Sequence, residues 1–187
     1  DMRGRGDSDG MFEPHTNDGK DGYAAVEWLA RQDFCDGQVA MWGASYLGFT
    51  QWATAATRPP ALRTIAPAAA PYLGVDFPMR SNISYPALFR WAAYVSGRSP
   101  SPKLFADDRY WSSLYGAWYR SGGAFLELTE AAGLPAEPIR TWLAHPEPGP
   151  FWDQRNPSAD QYAGITIPVL TITGAYDDDQ LGALAHY

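Results

Sequence analysis

The run Gly43-Ala44-Ser45-Tyr46-Leu47-Gly48 constrains this 187-residue chain more than any other stretch. Before it lies Gln38-Val39-Ala40-Met41-Trp42, an apolar run bounded by Gly37 and Gly43 and consistent with a buried parallel strand. After it, Tyr46 to Thr57 reads as a helix that ends before Pro59-Pro60, which cannot continue it. A serine between glycines at a strand-to-helix junction is what a nucleophile elbow needs. Small neighbours let the backbones approach closely, and a strained turn holds the hydroxyl above the ends of the strands. Ser45 is the candidate nucleophile, and the amide of Tyr46 at the start of the helix is the candidate oxyanion donor. The alternative use of Ser45 is as a plain helix cap.

The surrounding pattern supplies the context. Apolar residues at helical spacing predict a helix over 18–32, closed by the Asp36-Gly37 turn. Leu62 to Ala66 and Ile167 to Thr173 read as further strands, so helix, strand, tight turn, helix, strand follow one another as in a parallel sheet with covering helices. Between about Val75 and Ala163 the strand rhythm stops. Prolines, many of the 8 Trp and 11 Tyr, and helical stretches at Pro86–Val95 and Tyr110–Tyr119 predict a mostly helical insertion. The expected organisation is a sheet core over 1–74, an insertion over 75–163 and a return to the core over 164–187. The chain opens in a turn-rich run at Asp1 and stops at His186-Tyr187 inside an expected helix, so both ends read as cut.

A serine hydroxyl needs a histidine to take its proton and a carboxylate to orient that histidine. In hydrolases built on such an elbow the chain order is serine, acid, histidine, with the acid on a turn after a later strand. Asp177 occupies such a turn, although its neighbours Asp178 and Asp179 allow a solvated acidic cluster instead. His15 precedes Ser45, and His145 lies in the insertion. His186 follows Asp177 by too few residues for the elements that normally intervene, so the base is expected outside this stretch. Formal charge of −7 argues against nucleic acid as partner. No apolar run approaches the length of a membrane span, and the chain reads as soluble, with the cytoplasm favoured. The lone Cys35 excludes an internal disulfide. The reading calls for no metal and no cofactor.

Three blocks carry a family resemblance: Asp1-x-Arg3-Gly4-x-Gly6-x-Ser8-x-Gly10, Trp28-Leu29-x-x-Gln32-x-x-Cys35-Asp36-Gly37 and Gly43-x-Ser45-Tyr46-x-Gly48. Together with Leu143-x-His145-Pro146, Phe151-Trp152 and Thr173-Gly174-Ala175-Tyr176-Asp177, they resemble the cocaine esterase, X-prolyl dipeptidyl-peptidase and α-amino acid ester hydrolase family. The resemblance implies an α/β-hydrolase parallel sheet, partial at both ends, with a helical cap insertion. It implies Ser45 as nucleophile, Asp177 as triad acid, the Tyr46 amide as one oxyanion donor and a structural role for His145. It places a second oxyanion donor before Asp1, and the catalytic histidine and a jelly-roll domain after Tyr187.

Asp179 matches a position that, in the amino acid ester hydrolases, helps bind the substrate's ammonium group, with Gln180 replacing a second acid there. Tyr85, Phe89 and Trp91 are candidates for the acyl pocket, or else cap core. The expected activity is serine hydrolysis of an ester or amide through an acyl-enzyme on a small ester, amide or short peptide. An X-prolyl dipeptidyl aminopeptidase is one alternative. The other is a non-catalytic fragment, or a binding or biosynthetic protein on the same fold.

Overall fold

The computed structural model describes residues 1–135 and 137–187. In chain order the elements are α1 (Asp18–Leu29), β1 (Val39–Ala44), α2 (Tyr46–Ala56), β2 (Leu62–Ala68), β3 (Met79–Arg80), β4 (Ile83–Ser84), α3 (Ala87–Val95), α4 (Pro102–Phe105), α5 (Asp108–Ser121), α6 (Glu127–Ala131), α7 (Ile139–Leu143), α8 (Pro150–Asp153), α9 (Ala159–Ala163) and α10 (Gln180–His186). They fall into two compact units: one formed by 13–81 with 147–187, the other by 1–12 with 82–146. The helical unit thus takes in the centre of the insertion expected over 75–163, and the first twelve residues besides.

In the first unit β1 and β2 pair in parallel, with Met41 opposite Ile65 and Ala44 opposite Ala68. The 167–173 segment lies along the far side of β2. Isolated parallel bridges join Val169 to Ile65 and Ile172 to Ala68. The amides of Leu170 and Ile172 donate to the carbonyls of Ile65 and Pro67 at 3.1 and 3.0 Å. The three strands expected from the sequence are therefore neighbours in one parallel arrangement, in the order β1, β2, 167–173.

Helices α1 and α2 cover one face. Val26, Trp52, Ala55, Leu62 and Ile65 form its core, with Val39, Met41, Ile167 and Val169 packed against them. The other face differs from expectation. An apolar strand such as β1 reads as buried on both sides, but its exposure alternates, and Trp42 is 86 % exposed, Leu170 61 % and Ile172 48 %.

The second unit is helical. Its buried residues include Leu88, Phe89, Trp111, Leu128, Ile139 and Trp142. α5 starts where the Asp107 carboxylate accepts from the Tyr110 amide and stops at Gly122, whose left-handed backbone (φ 67°) ends the helix. The Arg5 guanidinium donates to the carbonyls of Val95 and Gly97, tying the opening loop to the end of α3. No helix among the described residues is long and apolar enough to cross a membrane.

Candidate active site

Ser45 sits between β1 and α2 with φ 59° and ψ −125°, a left-handed backbone that an ordinary L-residue adopts at a cost of roughly 1–3 kcal/mol. Local bonds impose it. The Ser45 amide donates to the Ala68 carbonyl at 2.9 Å, while its own carbonyl accepts from the amides of Gly48 and Phe49 at 2.8 and 3.0 Å. A Cβ at Gly48 would stand 2.9 Å from both the Ala68 carbonyl oxygen and the Ala70 Cβ, so only glycine lets α2 come this close to β2. The motif's second glycine has a packing reason, and the Ser45 side chain is left exposed at the carboxyl end of β1.

Gln51 completes the turn from below. Fully buried, it donates to the Gly43 and Leu47 carbonyls at 3.1 and 2.9 Å and accepts from the Ala66 amide at 3.0 Å. One amide group joins the end of β1, the first turn of α2 and the middle of β2. The sequence reading passed over it; the available signal was a glutamine on the apolar face of a helix.

The Ser45 amide is level with Ala68, and Ala68 bridges Ile172. Asp177 follows five residues later, on the turn after the third strand. Ser45 and Asp177 therefore leave the same end of the parallel arrangement from strands two spacings apart, roughly 10 Å. Asp177 is half-buried, and its Oδ1 accepts from the Asp179 amide at 2.8 Å, which orients the turn.

Asp179 is half-buried, and its carboxyl is pushed up to about 7 by burial and by the neighbouring charges of Asp76, Asp177 and Asp178. Asp76, which the sequence reading missed, is 2 % exposed. It accepts from the Tyr72 amide at 2.9 Å and from the Gly182 amide, and burial raises its pKa as well. Asp178 is exposed and 3.9 Å from the exposed Arg80, a pair worth little. Around the Asp177 turn, negative charge therefore outweighs positive. No cluster of three or more His, Cys, Asp or Glu suited to a metal occurs among the described residues.

The histidines are placed elsewhere. His186 is buried against Trp52, with Nδ1 2.6 Å from the Tyr162 hydroxyl and Nε2 2.9 Å from the Pro71 carbonyl. That pairing makes Nε2 the protonated nitrogen and Nδ1 the acceptor, and burial lowers its pKa to about 4. His15 is buried among the rings of Tyr46, Phe49 and Phe77. His145, in the helical unit, is exposed with Nδ1 2.8 Å from the Thr141 carbonyl. In that unit Phe89 is 0 % exposed, edge-on to Phe125, so its ring belongs to the unit's core. Trp91 tilts against Trp142, and Tyr85 is half-buried.

A family described as X-Pro dipeptidyl-peptidase (S15 family) matches residues 1–187. Cocaine esterase of Rhodococcus sp. (strain MB1 Bresler) is 38 % identical over 188 residues, 95 % of this chain and 33 % of that protein. Two solved structures share the fold. An α-amino acid ester hydrolase superposes with TM-score 0.70 at 19 % identity, covering 98 % of this chain and 33 % of its own. An aminopeptidase from a marine sediment Thaumarchaeota archaeon superposes with TM-score 0.73 at 21 % identity, covering 98 % and 34 %. The fold is an α/β-hydrolase one, and the chain spans about a third of the length of these relatives.

Proposed function

Because the chain belongs to the X-Pro dipeptidyl-peptidase (S15) family, we propose that it carries the nucleophile of a serine hydrolase that cleaves an ester or amide acyl bond through an acyl-enzyme on Ser45. The observation that carries this reading is the left-handed Ser45 in a strand-to-helix turn, its hydroxyl exposed and its backbone held by Ala68, Gly48 and Phe49. A serine that merely capped α2 would turn its oxygen back to the helix amides, and Ser45 makes no such side-chain bond.

In this reading Ser45 Oγ attacks the carbonyl carbon and gives its proton to a histidine. The amide of Tyr46 donates to the oxyanion that forms. Collapse of the tetrahedral intermediate expels the alcohol or amine, which takes the proton from the histidine, and water then releases the acyl group by the reverse sequence. Asp177 orients the histidine. His186 has both ring nitrogens engaged and His15 is packed among aromatic rings, which supports a base supplied by neither of them. Further core strands or helices of the same polypeptide would cover Trp42, Leu170 and Ile172, and a jelly-roll domain would follow.

The excess of carboxylates around Asp177 favours a substrate with an ammonium group near the acyl carbon, on the adjacent carbon in an α-amino ester or one residue further away in an X-prolyl peptide, with Asp179 facing that ammonium. Tyr85 and Trp91 remain candidates for the acyl pocket.

The test is labelling of the full-length polypeptide with a fluorophosphonate probe, alongside ester turnover. Ser45→Ala is expected to abolish both, since loss of a triad member costs several powers of ten. Undiminished labelling of the variant removes Ser45 from the mechanism. No labelling of the wild type favours a non-catalytic protein on this fold.

A further inference from the structure

We infer that Asp18 is a positioning residue for the oxyanion-binding turn: it holds the phenol of Tyr46 so that the backbone between Ser45 and Tyr46 stays in its reactive shape. The inference rests on the reading of Ser45 as nucleophile and the Tyr46 amide as oxyanion donor.

Asp18 opens α1 and is 5 % exposed. Its Oδ2 accepts from the Tyr46 hydroxyl at 3.3 Å, and its Oδ1 accepts from Thr50 Oγ1 at 3.5 Å. The Tyr46 oxygen in turn accepts from the His15 amide at 3.0 Å. Tyr46 and Thr50 stand four residues apart, on one face of α2, and that face meets the start of α1. The approach depends on small residues. A Cβ at Gly22 would lie 1.9 Å from Thr54 Oγ1, and one at Gly19 would lie 2.8 Å from the Ala53 carbonyl. The spacing Asp18-Gly19-x-x-Gly22 thus brings the helices close enough for the carboxylate at the start of α1 to reach the phenol at the start of α2.

The Tyr46 ring is also clamped on its face. The His15 imidazole lies 4.3 Å from it, centroid to centroid, and is itself packed against Phe49 and Phe77. A side chain fixed at its tip and on its face fixes its own Cα and amide, and this residue directly follows the strained Ser45. An oxyanion donor must be aimed before the charge develops, and a misplacement of even 1 Å is costly. A buried carboxylate that served only α1 would not need to reach α2.

Charge around Asp18 is sparse. Asp21 is its acidic neighbour on α1, Tyr46 and Thr50 face it from α2, and Arg155 lies near His15. Burial against this setting pushes the Asp18 carboxyl up to about 6. The ionised form, which accepts the Tyr46 hydrogen bond, therefore dominates above that pH.

The experiment compares Asp18→Ala, Asp18→Asn and Tyr46→Phe in the full-length polypeptide, with active sites counted by fluorophosphonate titration and Ser45→Ala as reference. Positioning predicts that Asp18→Ala and Tyr46→Phe each lower kcat per titrated site on the order of 10- to 100-fold with little change in KM. The double variant should be no worse than either single one, and Asp18→Asn, whose amide oxygen still accepts from the phenol, should recover most of the rate. Tyr46→Phe deletes one oxygen and reads the same link if Asp18→Ala does not fold. Wild-type kcat per titrated site in Tyr46→Phe, or additive losses in the double variant, overturns the inference. If Ser45→Ala itself turns over ester, it is the underlying reading that has failed.

Discussion

The imidazole of His186 lies flat on the indole of Trp52, with the rings 6° from parallel and their centroids 5.3 Å apart. The stack sits on the helix-covered side of the sheet, where Tyr162 and Pro71 engage both imidazole nitrogens. A histidine so placed is neutral by construction, and its titration becomes a matter of stability.

Burial holds the His186 pKa near 4, against about 6.5 for the free imidazole. The folded-state pKa is depressed, so between these values the unfolded chain binds the proton first. The stability contributed by the neutral imidazole is present above about pH 6.5 and is lost as pH falls toward 4, up to about 3 kcal/mol. Asp179 and Asp18 act in the opposite direction. Their raised pKa values contribute stability that is fully present below about 3.8 and is lost as pH rises from there through about 7 and 6. The imidazole's share is read as a difference: the gap in urea midpoint between wild type and His186→Gln should shrink from pH 7.5 to pH 4.5. A constant gap would assign the acid sensitivity to other groups.

Gly48→Ala should destabilise the elbow. The new methyl meets the Ala68 carbonyl and the Ala70 Cβ at 2.9 Å, both on short rigid residues. Overpacking of this kind costs about 1–3 kcal/mol. Because α2 must shift, turnover should fall together with the thermal midpoint, and a variant with wild-type midpoint and kcat would show that the helix has slack.

Gly22→Ala tests the α1–α2 contact at a position outside the turn itself. Its Cβ would fall 1.9 Å from Thr54 Oγ1, so the helices must part or Thr54 must rotate. The expected loss is about 1–3 kcal/mol, and the double variant Gly22→Ala/Thr54→Ala should recover part of it. Failure of Thr54→Ala to restore any stability would place the strain elsewhere.

Asp179 should discriminate by charge. The measurement is kcat/KM for an α-amino ester against its des-amino analogue, in wild type and Asp179→Asn. A carboxylate reading the ammonium predicts a ratio that falls in the variant. A ratio unchanged by the substitution makes Asp179 a turn residue and the enzyme indifferent to the amine.

What the sequence determined was local. Glycine spacing around Ser45, apolar runs of strand length and proline stops are properties of neighbouring residues, and they were enough to place β1, the elbow, α2, β2 and the 167–173 segment in one parallel order. What they could not carry was the meaning of polar residues whose partners lie far along the chain. Asp18 reads as an ordinary helix opener until α2 brings Tyr46 to it, and Asp76 reads as a loop carboxylate until Gly182 arrives from more than a hundred residues away. Gln51 reads as a polar residue stranded on the apolar face of a helix until β2 supplies the Ala66 amide. Nor does an apolar run say which of its faces is covered, so Trp42 reads as core and stands exposed. Phe89 shows the converse, because an aromatic ring fits a pocket and a core equally well until the packing chooses. Burial is a property of the assembled fold, and it alone turns a side chain's charge or bulk into a role.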